Sequence, residues 1–264
     1  MFTPDSPKTD LAITLVQTSL HWQQPEKNRQ MLEQKLQNLP YTDLVILPEM
    51  FTTGFSMQAR ELAEPTEGPT LAWMRKMAQE KAAVITGSLI VVENKRYFNR
   101  LFWVRPDGGF DTYDKRHLFR MAQEDQTYTA GNRPLLTELN GWKICPLICY
   151  DLRFPVWSRN TFGYDLLLYV ANWPERRSLA WRTLLHARAI ENLAYVAGVN
   201  RVGDDQNGIS YSGDSAVHGP EGDTLFWLAH EEYVKTLTLS AEKLRNFRMR
   251  FPANLDADKF TLEV

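Results

Sequence analysis

Three residues of this chain combine the side chains and the settings that covalent hydrolysis needs: Cys149, Glu49 and Lys115. The stretch from Lys143 to Pro155 runs as an apolar strand and breaks into a polar turn at Cys149, which would hold a thiol at the lip of a sheet. Leu44-Val45-Ile46-Leu47-Pro48-Glu49 ends an apolar run in a carboxylate, and Tyr113-Asp114-Lys115-Arg116-His117-Leu118 sets an ammonium among strand-like residues. A thiol attacks a carbonyl only as thiolate, and free cysteine is mostly protonated at neutral pH. A carboxylate whose proton affinity is raised by burial can take that proton. The ammonium, with the backbone N–H of Tyr150, can hold the oxyanion, and water activated by the same carboxylate can release the acyl-thioester. These are the parts of a cysteine hydrolase whose base is not histidine.

The elements that must bring them together are legible from periodicity. Leu11 to Gln17, Asp43 to Leu47, Ala83 to Val92, Tyr97 to Val104, Phe110 to Lys115, Trp142 to Ile148, Asp165 to Val170 and Ala194 to Asn200 read as strands. So do Tyr211 to His218, Thr224 to Leu228 and Tyr233 to Leu239, separated by tight turns at Gly219-Pro220 and Gly222. Helical spacing covers Pro25 to Leu39, Thr70 to Ala82, Val156 to Phe162 (closed by Gly163), Arg177 to Asn192 and Ala241 to Arg250. Glu93-Asn94-Lys95-Arg96 and Pro106-Asp107-Gly108-Gly109 are turns. Strands alternating with helices, with hairpins between, predict an α/β fold with mixed sheets. No linker or composition shift divides residues 1–264, and the expectation is one domain, with residues 251–264 as an extended tail.

Composition narrows the setting. The chain has 264 residues, 44% of them hydrophobic and 23% charged, enough to bury a full core. A net charge of −2 gives no pull towards nucleic acid or an anionic membrane. Met1 to Asp10 is polar, no apolar run reaches spanning length, and only two cysteines occur; a cytoplasmic protein without disulfides is expected. Cys145 and Cys149 lack the further ligands that zinc requires, so no metal is expected, and Cys145 is assigned to the core. Most of the eight tryptophans are expected to fill core and subunit contacts.

Leu47-Pro48-Glu49, Lys115-Arg116-His117-Leu118-Phe119 and Cys149-Tyr150-Asp151-Leu152-Arg153-Phe154-Pro155 together resemble the nitrilase superfamily of carbon–nitrogen hydrolases, in order and in spacing (49 to 115, 115 to 149). The resemblance runs from Leu11 to about Leu239. It implies a four-layer α-β-β-α sandwich of two mixed sheets, paired into homodimers, with residues 251–264 at or near that interface and no cofactor. It implies that Glu49 is the general base, Lys115 the oxyanion stabiliser, Cys149 the nucleophile, and Glu124, seven residues before Gly131, a second conserved-type glutamate of the site. Within the superfamily the chain is most similar to bacterial omega-amidases, through the Cys149 segment, Ala171-Asn172-Trp173-Pro174 and Ser210-Tyr211-Ser212-Gly213-Asp214-Ser215. Such an enzyme deamidates the omega-carboxamide of a dicarboxylic alpha-keto acid, alpha-ketoglutaramate or alpha-ketosuccinamate. The alternatives are an N-carbamoyl amino acid hydrolase, a nitrilase, or an idle binding member of the fold.

Several residues have two readings. Arg153 could grip a substrate carboxylate, but a structural ion pair with Asp151 or Glu191 is favoured; Arg120 is a second candidate cation. Asn172 and Trp173 end a strand, where pocket residues of α/β sheets gather. His117 and His186 are expected to be hydrogen-bonded structural residues. The alternating charges from Glu175 to Glu191 read as a solvated helix face.

Overall fold

The computed structural model describes residue 7 and residues 9–263; most of the polar N-terminal stretch, and Val264 of the tail, lie outside the described residues. Fourteen strands are described. β1 (Leu11–Gln17), β2 (Leu44–Ile46), β3 (Glu64–Pro65), β4 (Val84–Glu93), β5 (Arg96–Val104) and β6 (Phe110–Asp114) come first. β7 (Thr137–Leu139), β8 (Trp142–Ile148), β9 (Leu166–Ala171), β10 (Tyr195–Asn200), β11 (Val202–Asp204), β12 (Ser210–His218), β13 (Thr224–Ala229) and β14 (Tyr233–Leu239) follow. The helices are α1 (Pro25–Leu36), α2 (Ala59–Leu62), α3 (Pro69–Lys81), α4 (Glu124–Thr127), α5 (Pro155–Ser158), α6 (Ser178–Asn192) and α7 (Ala241–Arg250).

Two seven-stranded mixed sheets result. One has the order β14-β1-β2-β4-β5-β6, with β3 beside β4; the other has β11-β12-β10-β9-β8-β7, with β13 beside β12. In each sheet the central strands are parallel (β1, β2 and β4; β8, β9 and β10) and antiparallel strands flank them. The short run of β2 shows why the layers form. Leu44 and Ile46 face one apolar cluster, shared with Trp142, Ile144 and Leu166 of the other sheet. Val45 and Leu47 face another, shared with Leu32 and Leu36 of α1 and Met74 and Met77 of α3. Side chains alternate across a strand, so a strand apolar at every position is buried on both faces. On the outer face of the second sheet, α6 packs Trp181 and Leu185 against β10 at Gly198, where a Cβ would come within 2.5 Å of Leu185. The outcome is the expected α-β-β-α sandwich.

Differences from the sequence reading have local causes. α1 stops at Leu36 rather than Leu39, because the residue before Pro40 is steered away from helical backbone. The helix expected over Val156 to Phe162 ends at Ser158. Beyond it the Asn160 side chain binds both the N–H and the carbonyl of Tyr164, a competing local arrangement. The β4–β5 turn places Asn94 and Lys95 at φ of 50° and 62°, the two left-handed residues of a two-residue hairpin.

Candidate active site

The parallel strands of both sheets deliver their C-terminal ends to one crevice, the usual location for ligands in α/β sheets. Glu49 lies three residues beyond β2, Lys115 follows β6, Cys149 follows β8, and Asn172 follows β9. Each is fixed by its own anchor. The chain after β2 settles on β4, with Leu47 N–H donating to the Thr86 carbonyl (2.8 Å) and Met50 N–H to Ser88 Oγ (2.9 Å). Gly87 makes room there, since a Cβ would stand 2.8 Å from the Phe51 ring. The Lys115 N–H donates to the Asn99 carbonyl on β5 (3.0 Å), and its own carbonyl accepts from the Gly131 N–H (2.9 Å). Cys149 has φ of 43°, in the left-handed region. Such backbone costs a non-glycine residue about 1–2 kcal/mol and persists only where the surroundings over-determine it.

Asp151 supplies much of that determination. Its buried carboxylate accepts four bonds: from Ile148 N–H (3.1 Å), Tyr113 OH (2.7 Å), His117 N–H (3.0 Å) and His117 Nδ1 (2.8 Å). One side chain thus ties the turn carrying Cys149 to the segment carrying Lys115. His117 also stacks on Phe154 at 3.7 Å between ring centroids, consistent with its structural assignment, as is the stacking of His186 on His218 at 4.8 Å. Cys145 lies in the inter-sheet core.

The three distant segments, and the loop after Lys115, converge on one buried cluster. Lys115 Nζ donates to Glu49 Oε1 at 2.9 Å and to both oxygens of Glu124 at 3.0 Å. Glu49, Glu124 and Lys115 are at most 1% exposed. Glu49 Oε2 accepts from the Asn172 N–H (2.8 Å), and the Glu49 carbonyl accepts from Asn172 Nδ2 (2.6 Å). Glu124 Oε2 accepts from the Phe119 N–H (2.6 Å). Burial opposes the charge on Lys115, yet Glu124 and Glu49 outweigh it and hold the ammonium above its ordinary range. Burial, partly offset by Lys115, pushes Glu124 above the usual carboxylate range. Burial and then the neighbouring Glu49 push the Cys149 thiol well up, against the pull of Lys115. Cys149 therefore rests as a thiol at neutral pH. The Tyr150 N–H sits in the first turn of the 3-10 segment Cys149–Arg153, where a helix offers it no internal acceptor.

In front of Cys149 and Lys115 opens a cavity of about 260 Å³. Tyr150, Asn172 and Trp173 line it, as does Arg153, whose guanidinium lies 4.9 Å from the Trp173 ring. The ion pair expected for Arg153 is absent among the described residues: Asp151 is taken by Tyr113 and His117, and Glu191 pairs with Arg188 at 2.9 Å. Arg120 does not reach the cavity. Its side chain is 87% exposed and 3.8 Å from Asp125, so it is no candidate for substrate contact. The solvated reading of Glu175 to Glu191 also needs correction. Arg176 and Arg177 line the cavity, and Arg188 is buried, donating to the Leu152 carbonyl at 2.7 Å behind the Cys149 turn.

Arg177 was missed because its charges were read as part of a helix. Its signal was placement: a basic pair one residue beyond Asn172-Trp173-Pro174, after Glu175, near a strand end and ahead of α6. Its guanidinium lies 5.1 Å from the Phe119 ring and 3.7 Å from Met121 Sδ. Burial, then Arg176, then Arg153 lower its proton affinity. Three guanidiniums therefore line one cavity, and among the described residues no acidic residue lines it with them. Among the described residues no group of three or more His, Cys, Asp and Glu is arranged to hold a metal, and no helix is long and apolar enough to cross a membrane.

A sandwich of this topology with a thiol, two carboxylates and an ammonium meeting at the strand ends defines a class, and the comparisons name it: the chain belongs to the carbon-nitrogen hydrolase family, which it matches over residues 12–249. It is 48% identical over 253 residues to omega-amidase YafV of Escherichia coli strain K12, covering 96% of this chain and 98% of that one. It is 30% identical to 2-oxoglutaramate amidase of Bacillus subtilis, covering 94% and 97%. Among solved structures, the CN-hydrolase superfamily protein XC1258 of Xanthomonas campestris, which carries an arsenic adduct in its active site, is similar at 50% identity. Its TM-score is 0.95, with 97% of this chain and 100% of that chain covered.

Proposed function

We propose that this enzyme hydrolyses the omega-carboxamide of a small dicarboxylic alpha-keto acid, alpha-ketoglutaramate or alpha-ketosuccinamate, to the dicarboxylate and ammonia. The observation that carries the reading is the set of Arg153, Arg176 and Arg177 lining the cavity that opens on Cys149. Among the described residues none of the three forms an ion pair. Unpaired guanidiniums in a largely apolar cavity attract a carboxylate, and arginine grips one through two parallel bonds. The same cations repel an alpha-ammonium and, among the described residues, no lining carboxylate answers it, which disfavours glutamine and asparagine against their keto analogues. The names of the relatives, omega-amidase and 2-oxoglutaramate amidase, agree with this substrate class.

The chemistry then runs in balanced steps. Cys149 Sγ attacks the amide carbon as its proton passes to Glu49. The oxyanion is received by Lys115 Nζ and the Tyr150 N–H; each such donor is typically worth about 10²–10³ in rate. Glu49 returns the proton to the leaving nitrogen, the C–N bond breaks, and ammonia departs from a Cys149 thioester. Water gives a proton to Glu49 and its oxygen to the carbonyl carbon; the C–S bond breaks and the sulfur recovers the proton. Asn172 Oδ1, a buried acceptor with no partner among the described residues, is available to the amide N–H₂. Glu124 holds the second face of Lys115.

Residues 1–264 are read as one domain acting in a homodimer. The support is apolar exposure on and around α5 and α6, at Val156, Phe162, Leu179 and Ile190. Leu262 and Glu263 of the tail line a cavity beside α5 with Val156. Light scattering reporting a monomer at micromolar concentration rejects that assembly. The substrate reading is tested by ammonia release across alpha-ketoglutaramate, alpha-ketosuccinamate, glutamine and uncharged valeramide. Turnover of the keto acids and little of the others is expected. Equal turnover of glutamine refutes it, and carbon dioxide released with ammonia from a carbamoyl amino acid redirects it to that substrate.

A further inference from the structure

Asn99 on β5 occupies a position that the catalytic steps above leave unexplained. It is fully buried, and its Nδ2 donates to Glu49 Oε1 at 2.7 Å and to Glu124 Oε1 at 3.3 Å. Those are oxygens that also receive Lys115 Nζ. Its own Oδ1 is buried without a hydrogen-bond partner among the described residues. Its main-chain carbonyl meanwhile accepts the Lys115 N–H. An amide buried with its acceptor unmet is a costly choice, and turning it over gives no relief, because Oδ1 would then face two carboxylate oxygens. The side chain is kept for its donor end.

We propose that Asn99 is a positioning residue: an uncharged donor fork between Glu49 and Glu124 that lets two buried carboxylates share one ammonium while Glu49 keeps its affinity for the thiol proton. The inference rests on Glu49 acting as base. Two carboxylates and one ammonium leave the cluster short of positive charge, so like-charge repulsion drives a proton onto one carboxylate. Were that proton to settle on Glu49, it would block the base. A second cation in place of Asn99 would prevent it, but would also depress the basicity of Glu49, which must take a proton from a thiol that burial holds strongly. A neutral N–H donor shields the carboxylates from each other with less loss of basicity. A leucine of similar volume would do neither.

The test reads Cys149 directly and needs no amide substrate. The rate of Cys149 alkylation by iodoacetamide, located by peptide mass, is followed from pH 4 to 9 in the wild-type enzyme, Glu49→Gln, Asn99→Leu and the isosteric Asn99→Asp. Wild type should show an acid limb, and Glu49→Gln should lose it. In both Asn99 variants that limb should move up by about one pH unit, the effect of a lost charge-assisted bond. If Glu49→Gln keeps the wild-type limb, the base assignment fails. If Glu49→Gln loses it but either folded Asn99 variant keeps the limb in place while reacting uniformly more slowly, Asn99 is merely structural and the inference is overturned.

Discussion

Replacing Arg177 with methionine is the most direct probe of what the cavity recognises. Methionine keeps an unbranched stem against Phe119, where the guanidinium lies 5.1 Å from the ring centroid, and removes only the charge and the fork. A charge-assisted bond to a carboxylate is worth about 1.5–3 kcal/mol, or about 10- to 150-fold in kcat/KM. Arg177 is partly solvated, which puts the expected loss at the lower end, about 10- to 30-fold for alpha-ketoglutaramate. The bond is made equally in ground and transition states, so the loss should fall on KM with kcat little changed. Arg153→Met should behave alike, and the double variant should lose less than the product, because both cations hold one carboxylate. Stability should not fall, since Arg176 and Arg153 already repel Arg177 in the free enzyme. The assay is ammonia release from alpha-ketoglutaramate beside valeramide, which has no carboxylate to lose. Equal losses on both amides, or no loss on the keto acid, refute the argument.

Cys149→Ala and Cys149→Gly should both abolish turnover, but the glycine variant should be about 1 kcal/mol the more stable on thermal melting, because only it is at ease at the 43° φ of that position; equal melting would deny the strain. Lys115→Met should destabilise by about 3–5 kcal/mol at neutral pH by leaving two buried carboxylates unpaired. Without the ammonium the burial that already raises Glu124 is no longer offset, so this penalty should grow as pH rises above the ordinary carboxylate range; a pH-independent loss counts against it. His218, buried on β12 with Nε2 unpartnered among the described residues, is pushed down to about 4 by burial and by His186. Its unfolded value is about 6.5, so the unfolded chain binds more protons between pH 6.5 and 4. Stability should fall by about 2–3 kcal/mol across that window, and His218→Phe should flatten the slope in denaturant titrations.

Which parts of this were readable beforehand follows from where each determinant lies in the chain. β2 and β8 from Ile144 on, buried on both faces, read as apolar runs, and Glu49 and Cys149 stand out where those runs end. α1 and α3 each carry proline in the first turn, a local signal that survives folding. β3, β7 and β11, of two or three residues, exist only because a neighbouring strand completes them. Partner choice was equally hidden. Arg153 has carboxylates near it in sequence, yet Asp151 is consumed by Tyr113 and His117 from a segment more than thirty residues away. Asn99 carried no signal at all, since a lone asparagine in a strand acquires meaning only from the two glutamates that other segments bring to it.

The neck formed by Gly131 and Lys115 has a consequence for how this enzyme could diversify. A Cβ at Gly131 would lie 2.1 Å from the Asp114 carbonyl, so the stem of the intervening excursion is pinched shut by a residue that tolerates no enlargement. Its apex, Met121 and Ala122, borders the cavity and bears none of the proton-handling groups. Evolution, or a protein engineer, can therefore retailor the apex for bulkier or slimmer acids while the reactive machinery stays in register beneath it.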